Sequence, residues 1–239
     1  MSFERLNSYD SLARLLSTQL KNSGGTVLNS HAYGYNLASQ RTALTNSAGD
    51  YRSFTYDDAG QLKTALGYEA NATPRLNEQM GYAYDPAGNL NQRTNNALVQ
   101  TFNVNSLNEL STVTRSGTLT VAGNTTTTAT NVTMNALTAT RYADKTFVKD
   151  GFTITNSDNS FTAIAQNNLG VTATNQITVN FPATTPFAYD LNGNLTSDGK
   201  RGFDYDDENQ LVRVTVTNAF RKEFIYDGAN RLRIRREFS

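Results

Sequence analysis

The 239-residue chain has no cysteine, a single histidine and no net charge, with 21 basic residues set against 21 acidic ones. Without cysteine, disulfides play no part in the fold and the redox compartment stays open. With the charges in balance, nothing global draws the chain toward nucleic acid or an anionic membrane surface. No run approaches the roughly 18 apolar residues of a membrane-spanning helix. The opening "MSFERLNSYDSLARLLSTQL" carries Glu4, Asp10 and two arginines, so no signal peptide is read in it. His31 is the only imidazole available to a Ser-His-Asp triad or a histidine metal site, and it falls in an expected strand leading to Tyr33 and Tyr35. No G-x-S-x-G, P-loop or Rossmann glycine pattern occurs.

What the chain does contain is threonine and asparagine, 33 and 28 residues respectively. Threonine favours strands and asparagine favours turns, so the pair points to many short strands joined by many turns. Only Ser11 to Lys21 offers a helical face, and the repeat described next reads the same residues as strand. The length is sufficient for one large or two small domains with a sizeable core.

Internal periodicity decides the architecture. The phrases "SYDSLARL", "YGYNLASQR", "FTYDDAGQL", "YAYDPAGNL", "FNVNSLNEL", "FAYDLNGNL", "FDYDDENQL" and "FIYDGANRL" align on Tyr9, Tyr35, Tyr56, Tyr84, Val104, Tyr189, Tyr205 and Tyr226. Aromatics two residues apart, as in Phe54 and Tyr56, share one face of a strand. Asp or Asn follows every anchor, where its side chain caps the backbone of a starting turn. Four residues after the anchor come Gly60, Gly88, Asn108, Gly193, Asn209 and Asn230, the residue types most at ease with positive φ. Six residues after it come Leu15, Leu62, Leu90, Leu110, Leu195, Leu211 and Leu232, with Arg41 the one departure. Each unit therefore predicts a strand, a three-residue turn and a second strand. A lone hairpin is marginal in water, and stacking the units is expected to bury aromatic and leucine ladders.

Units of the form "YDxxGNL" resemble the YD repeats of the RHS (rearrangement hotspot) family, which includes bacterial polymorphic toxins, C components of insecticidal toxin complexes and teneurins. The resemblance covers residues 1–116 and 184–239. It implies a sheet strip coiling into a shell that encloses a C-terminal cargo, in a secreted or cell-surface protein. Further YD repeats of a longer chain, or that cargo, are the partners it implies. The family's aspartyl self-cleavage motif has no counterpart here, since "DPAG" at Asp85 to Gly88 is a repeat turn. Self-cleavage and toxicity therefore carry over to no residue of this chain.

Successive anchors lie 16 to 28 residues apart except for the 85 between Val104 and Tyr189. An insertion is thus expected at 117–183, rich in threonine and with short alternating segments such as "GTLTV", "FTAIAQ" and "QITVNF". Strands at such spacing predict a small β-sandwich. Residues 143–181 resemble immunoglobulin-like modules of bacterial surface proteins, especially the accessory domain of glucodextranase. That likeness implies a spacer or a carbohydrate-contacting module.

Three polar constellations qualify as chemistry. Asp190, Asn192 and Asn194 open like a calcium loop, but Leu195 stands where such a loop needs glycine and Arg201 where it needs glutamate. Asp204, Asp206, Asp207 and Glu208 bring carboxylates close together, as glycoside hydrolysis requires, with strand alternation placing Asp204 and Asp206 on one face. Arg231, Arg233 and Arg235 alternate as a basic strip suited to phosphates or to protecting a sheet edge. The turn-and-strand reading absorbs all three. The expectation is an all-β fold of antiparallel hairpin repeats in a curved solenoid or shell segment, interrupted by a small β-sandwich. It needs no cofactor or metal and catalyses nothing; the alternative is a module contacting cell-surface glycan.

Overall fold

A computed structural model describes residues 2–239. Among them every regular element is a strand, and no helix is long and apolar enough to cross a membrane. The first ten strands are β1 (Phe3–Tyr9), β2 (Leu15–Asn22), β3 (Val27–Tyr35), β4 (Arg41–Asn46), β5 (Tyr51–Tyr56), β6 (Leu62–Tyr68), β7 (Pro74–Tyr84), β8 (Leu90–Asn95), β9 (Leu98–Val104) and β10 (Leu110–Gly117). They pair antiparallel in strict chain order. The segment from Ser11 with a helical face is turn and then strand β2, because its neighbours supply ladder partners on both sides.

Residues 119–180 form two small sheets. One holds β11 (Leu119–Asn124), β14 (Thr140–Arg141) and β15 (Thr146–Phe152) in the order β11-β15-β14. The other holds β12 (Asn131–Met134), β13 (Leu137–Thr138), β16 (Asp158–Gln166) and β17 (Thr172–Asn180) in the order β13-β12-β16-β17. The chain then returns as β18 (Thr184–Pro186), which pairs with β10. The amide of Phe187 extends that pairing by donating to the Ser111 carbonyl at 2.9 Å. From there β19 (Ala188–Tyr189), β20 (Leu195–Ser197), β21 (Gly202–Tyr205), β22 (Leu211–Val216), β23 (Phe220–Tyr226) and β24 (Leu232–Phe238) again pair in chain order. The hairpin ribbon thus continues across the insertion.

Every repeat closes with the same turn. In the third unit the Asp57 amide donates to the Gln61 carbonyl at 2.9 Å and the Gly60 amide to the Asp57 carbonyl at 3.0 Å. Gly60, Gly88, Gly193, Asn108, Asn209 and Asn230 all have positive φ, between 59° and 86°. Ala13 and Ser39 take the equivalent position in the first two units at φ of 60° and 63°. The repeat here overrides a local preference, since a side chain in this region costs about 1–2 kcal/mol. The opposite rim uses the same turn at Asn22–Thr26, Asn46–Asp50 and Glu69–Thr73, with no YD signature.

Burial is divided unequally. The buried apolar residues lie between Val121 and Phe161, with Val121, Val132, Met134, Phe147, Phe152 and Phe161 packed together between the two small sheets. The repeat ladders are half-buried at best. Tyr35, Tyr56, Tyr84, Tyr189, Tyr205, Tyr226, Leu62, Leu90, Leu195 and Leu211 are of intermediate exposure, and Tyr9 and Leu232 at the ribbon ends are 57% and 50% exposed. The ribbon is one sheet thick, so its side chains pack along the sheet and have no second layer above them.

Because Ser39 holds a conformation that glycine adopts freely, Ser39→Gly is expected to stabilise the protein by about 1 kcal/mol, whereas Gly88→Val destabilises it by at least that amount. Ala87→Val, one residue away at ordinary φ, should change little. Chemical denaturation of the three variants checks this; equal midpoints would contradict the turn geometry.

Candidate functional site

The repeat residues form two hydrogen-bonded series. The first is a tyrosine clamp between units: the Tyr35 hydroxyl donates to the Leu15 carbonyl (2.9 Å), Tyr56 to Arg41 (2.7 Å), Tyr84 to Leu62 (3.1 Å) and Tyr226 to Leu211 (3.1 Å). Each anchor thus reaches the residue six places after the previous anchor. That explains tyrosine where phenylalanine would supply the same ring, because the carbonyl beside the turn gains a donor. The backbone carbonyl is the acceptor, so the clamp survives in the second unit, where Arg41 replaces leucine.

The second series runs along the turn rim. Asp57 Oδ1 accepts from the amides of Ala59 and Gln61 at 3.0 and 2.8 Å, and Asp85 Oδ1 accepts from Ala87 and Asn89, both at 2.9 Å. Asp190, Asp206, Asp227 and Asn105 do the same in their units. Bonds from the Asn89 and Asn194 side chains and from turn amides hold the Asp85 and Asp190 carboxyls below the usual range, with slight burial opposing. Neighbouring rims then join: Gln40 Nε2 donates to the Gly60 carbonyl at 3.1 Å, and Gln210 Nε2 to Asn230 Oδ1 at 3.0 Å. Asn194 Nδ2 donates to Asn209 Oδ1 at 2.7 Å.

Side chains of the three polar constellations have partners within the ribbon. Asp190 turns Oδ1 to two backbone amides and Oδ2 to Asn194 Nδ2 at 2.9 Å, so its oxygens face the turn. Asp206 lies in a turn beyond the end of β21 and caps it, while Asp204 pairs with Arg213 at 2.7 Å; strand alternation does not unite them, because the strand ends at Tyr205. Arg231 and Arg233 both pair with Asp227 at 2.9 Å, and Arg235 pairs with Glu237. His31 sits in β3 with Nδ1 2.9 Å from Asn46 Oδ1. No group of three or more metal-ligating side chains occurs among the described residues.

The most buried polar group is one that no repeat pattern singles out. Arg75, at the start of β7, is 2% exposed. Its guanidinium donates to Glu78 Oε1 at 2.8 Å, to Glu69, and across to the insertion at Asp144 Oδ2 (2.8 Å) and Thr146 Oγ1 (2.9 Å). It lies 4.6 Å from the centre of the Tyr142 ring, whose hydroxyl accepts from the Leu76 amide at 2.8 Å. Burial disfavours the charge, but the bonds to Glu78, Asp144 and Glu69 outweigh it and hold the guanidinium above its ordinary value. Burial likewise raises the Tyr142 phenol. Arg52 bonds Glu78 on its other side, with Nη2 2.9 Å from Oε1.

A second arginine holds the insertion's stem. Arg115 in β10 donates through Nε to the Pro182 carbonyl at 3.1 Å and through Nη2 to the Thr155 carbonyl at 2.7 Å, and its own amide donates to Ala183 at 3.0 Å. At the exit, Gly117 has φ of 81°, and a Cβ there would lie 1.9 Å from the Ala97 carbonyl oxygen, so only glycine lets the chain leave the ribbon at this point. Between β11 and β17 the two small sheets part to leave a cleft of about 460 Å³, floored by Val121, Phe147, Phe161 and Ile177 and rimmed by Thr125 to Thr128 and Asn175.

No family model matches the chain, and no curated protein matches it. Solved structures do: the crystal structure of TcdB2-TccC3-Cdc42 and the Photorhabdus luminescens Tc holotoxin pore each match 98% of this chain at 14% identity and a TM-score of 0.44. TcdB2-TccC3 without its hypervariable C-terminal region matches at 14% identity and a TM-score of 0.43. The chain spans 12% of the length of those chains. A likeness this distant transfers no residue roles and no activity.

Arg75, itself buried, holds the largely covered Glu69 and Glu78 and the half-exposed Asp144, so Arg75→Met should destabilise the protein by about 3 kcal/mol, chiefly through the covered carboxylates it leaves behind. Arg213→Met, at an exposed pair, should cost under about 1 kcal/mol. Equal effects in denaturant titrations would contradict the buried bridge.

Proposed function

We propose that the chain is a non-enzymatic scaffold, a segment of an RHS-type repeat wall that carries one immunoglobulin-like module on its side. The observation that supports this best is the resumption of the ribbon after the insertion. β18 pairs with β10 through Thr112↔Pro186, Val113↔Thr185 and Thr114↔Thr184, and the Glu109 carboxylate lies beside Gly193, turn to turn. An insertion that leaves the hairpin register intact is an attachment to a wall. Much of the repeat's polar surface is occupied in making that wall, since the hydroxyls of Tyr35, Tyr56, Tyr84 and Tyr226 bond the preceding unit, the turn aspartates bond their own turn, and Gln40, Asn194 and Gln210 bond the next rim.

A wall of this kind encloses or displays something, and further repeats of a longer chain or a C-terminal cargo are the partners the resemblance suggests, in a secreted or cell-surface setting. The module, joined through Arg75 and Arg115, is held at a set orientation and projects from one end of β7 and β10.

Immunoblotting and intact mass of the native product from source cells test the reading. A polypeptide far larger than 26.2 kDa, protecting a protease-sensitive segment until the wall is opened, is the expected result. A native product of that mass alone would overturn the wall reading.

A further inference from the structure

The insertion ends in a long strand whose free edge differs from the outer edges of the ribbon. β17 pairs with β16 over its whole length, Asp158↔Asn180 through Gln166↔Thr172, without a bulge. It is the last strand of its sheet, and all nine of its residues are exposed. Its sequence, "TATNQITVN", has no charge and no proline. The ribbon's outer strands are defended in the usual way: β1 carries Glu4 and Arg5, and β24 carries Arg233, Arg235, Arg236 and Glu237. Charge, proline and bulges are the devices by which natural sheets keep an edge from pairing, and β17 has none of them.

We infer that β17 is a pairing edge and that its partner is β17 of a second copy, antiparallel about a two-fold axis through Gln176. The strand is self-complementary about that residue. On the outer face the axis sets Thr174 opposite Thr178 of the second copy and Thr172 opposite Asn180; on the inner face it sets Ala173 opposite Val179 and Asn175 opposite Ile177. Threonine pairs opposite one another are favourable cross-strand neighbours, and β17 already makes such a pair on its other side, where Ser160 Oγ lies 2.7 Å from Thr178 Oγ1. The absence of charge suits a partner that is also uncharged, and the strand itself is one. Pairing joins the two four-stranded sheets into one of eight. It also sets Ile177 and Val179, 49% and 37% exposed in one copy, beside apolar and amide side chains of the other. It is an isologous contact, so it closes at two copies and does not propagate. A single strand pair falls in the weak class of interfaces, below about 1,200 Å².

Sedimentation of the full chain up to about 0.5 mM tests the inference, a range that reveals association far weaker than micromolar. The expected result is a reversible monomer–dimer equilibrium, abolished in Thr174→Lys/Thr178→Lys, which opposes like charges twice across the axis. Thermal unfolding of that variant should stay close to the parent, showing that the monomer is intact. Arg233→Glu/Arg235→Glu, on the β24 edge, should leave the dimer unchanged. Because the chain has no cysteine, Gln176→Cys gives an independent readout. Opposed residues at the axis are about 4.5–5.5 Å apart between Cα atoms, within reach of a disulfide, and mild oxidation should yield a covalent dimer. A monomer throughout the concentration range overturns the inference. So does a dimer that persists in the lysine variant, or one lost in the β24 variant.

Discussion

A single oxygen atom, repeated, sets the form of this protein. The side chain after the anchor accepts two amides, two and four residues on, in every unit but the second, where Asn36 accepts that of Gln40, and thereby reverses the chain in three residues. Satisfying these amides locally leaves the strands free to bond only their neighbours, and a left-handed residue at the fourth position brings the second strand back in register. Once the turn is fixed, the anchor tyrosine stands where its hydroxyl meets the carbonyl of the preceding unit, and the residue before the leucine position meets the next rim. Strand pairing, clamp and rim all descend from that turn.

The consequence is a sheet that coheres without an apolar core. A two-layer domain gains most of its stability from buried hydrocarbon, whereas here the tyrosines and leucines of the ribbon stay half-exposed and the fully buried apolar residues lie in the insertion. The ribbon relies on neighbour-to-neighbour contacts, as repeat arrays do. The insertion is a conventional sandwich with its own interior, attached through two guanidinium groups. Arg115 gathers carbonyls at the stem, and Arg75 gathers carboxylates from both bodies at the flank. An arginine suits such joints because its donors form a rigid fork that serves several acceptors at once.

The all-β class and the turns of the YD rim were legible in the sequence because their determinants are local. Asp57, Gly60 and Leu62 lie within six residues of one another, and no distant partner is needed to interpret them. The opposite rim was not legible: Asn46 to Asp50 and Glu69 to Thr73 make the same turn with residues that share no pattern, and Ala13 and Ser39 adopt positive φ only because the surrounding ladder imposes it. The half-exposure of the ladders was not legible either, because spacing shows which side chains share a face but not whether a second layer covers that face. Arg75 gave no local signal, as its partners Asp144 and Thr146 are about seventy residues away. Asp206 beside Asp204 looked like a pair of carboxylates, and the end of β21 between them sends the two in different directions.

Native-state hydrogen exchange, resolved by strand, tests most directly the claim that a core-free ribbon is joined to a cored module. The strongest protection should fall on β12, β15 and β16 of the insertion. Protection in the ribbon should be lower and graded, decreasing toward β1 and β24 as units open in turn. A single opening, with ribbon and insertion equally protected and exchanging together, would contradict the account.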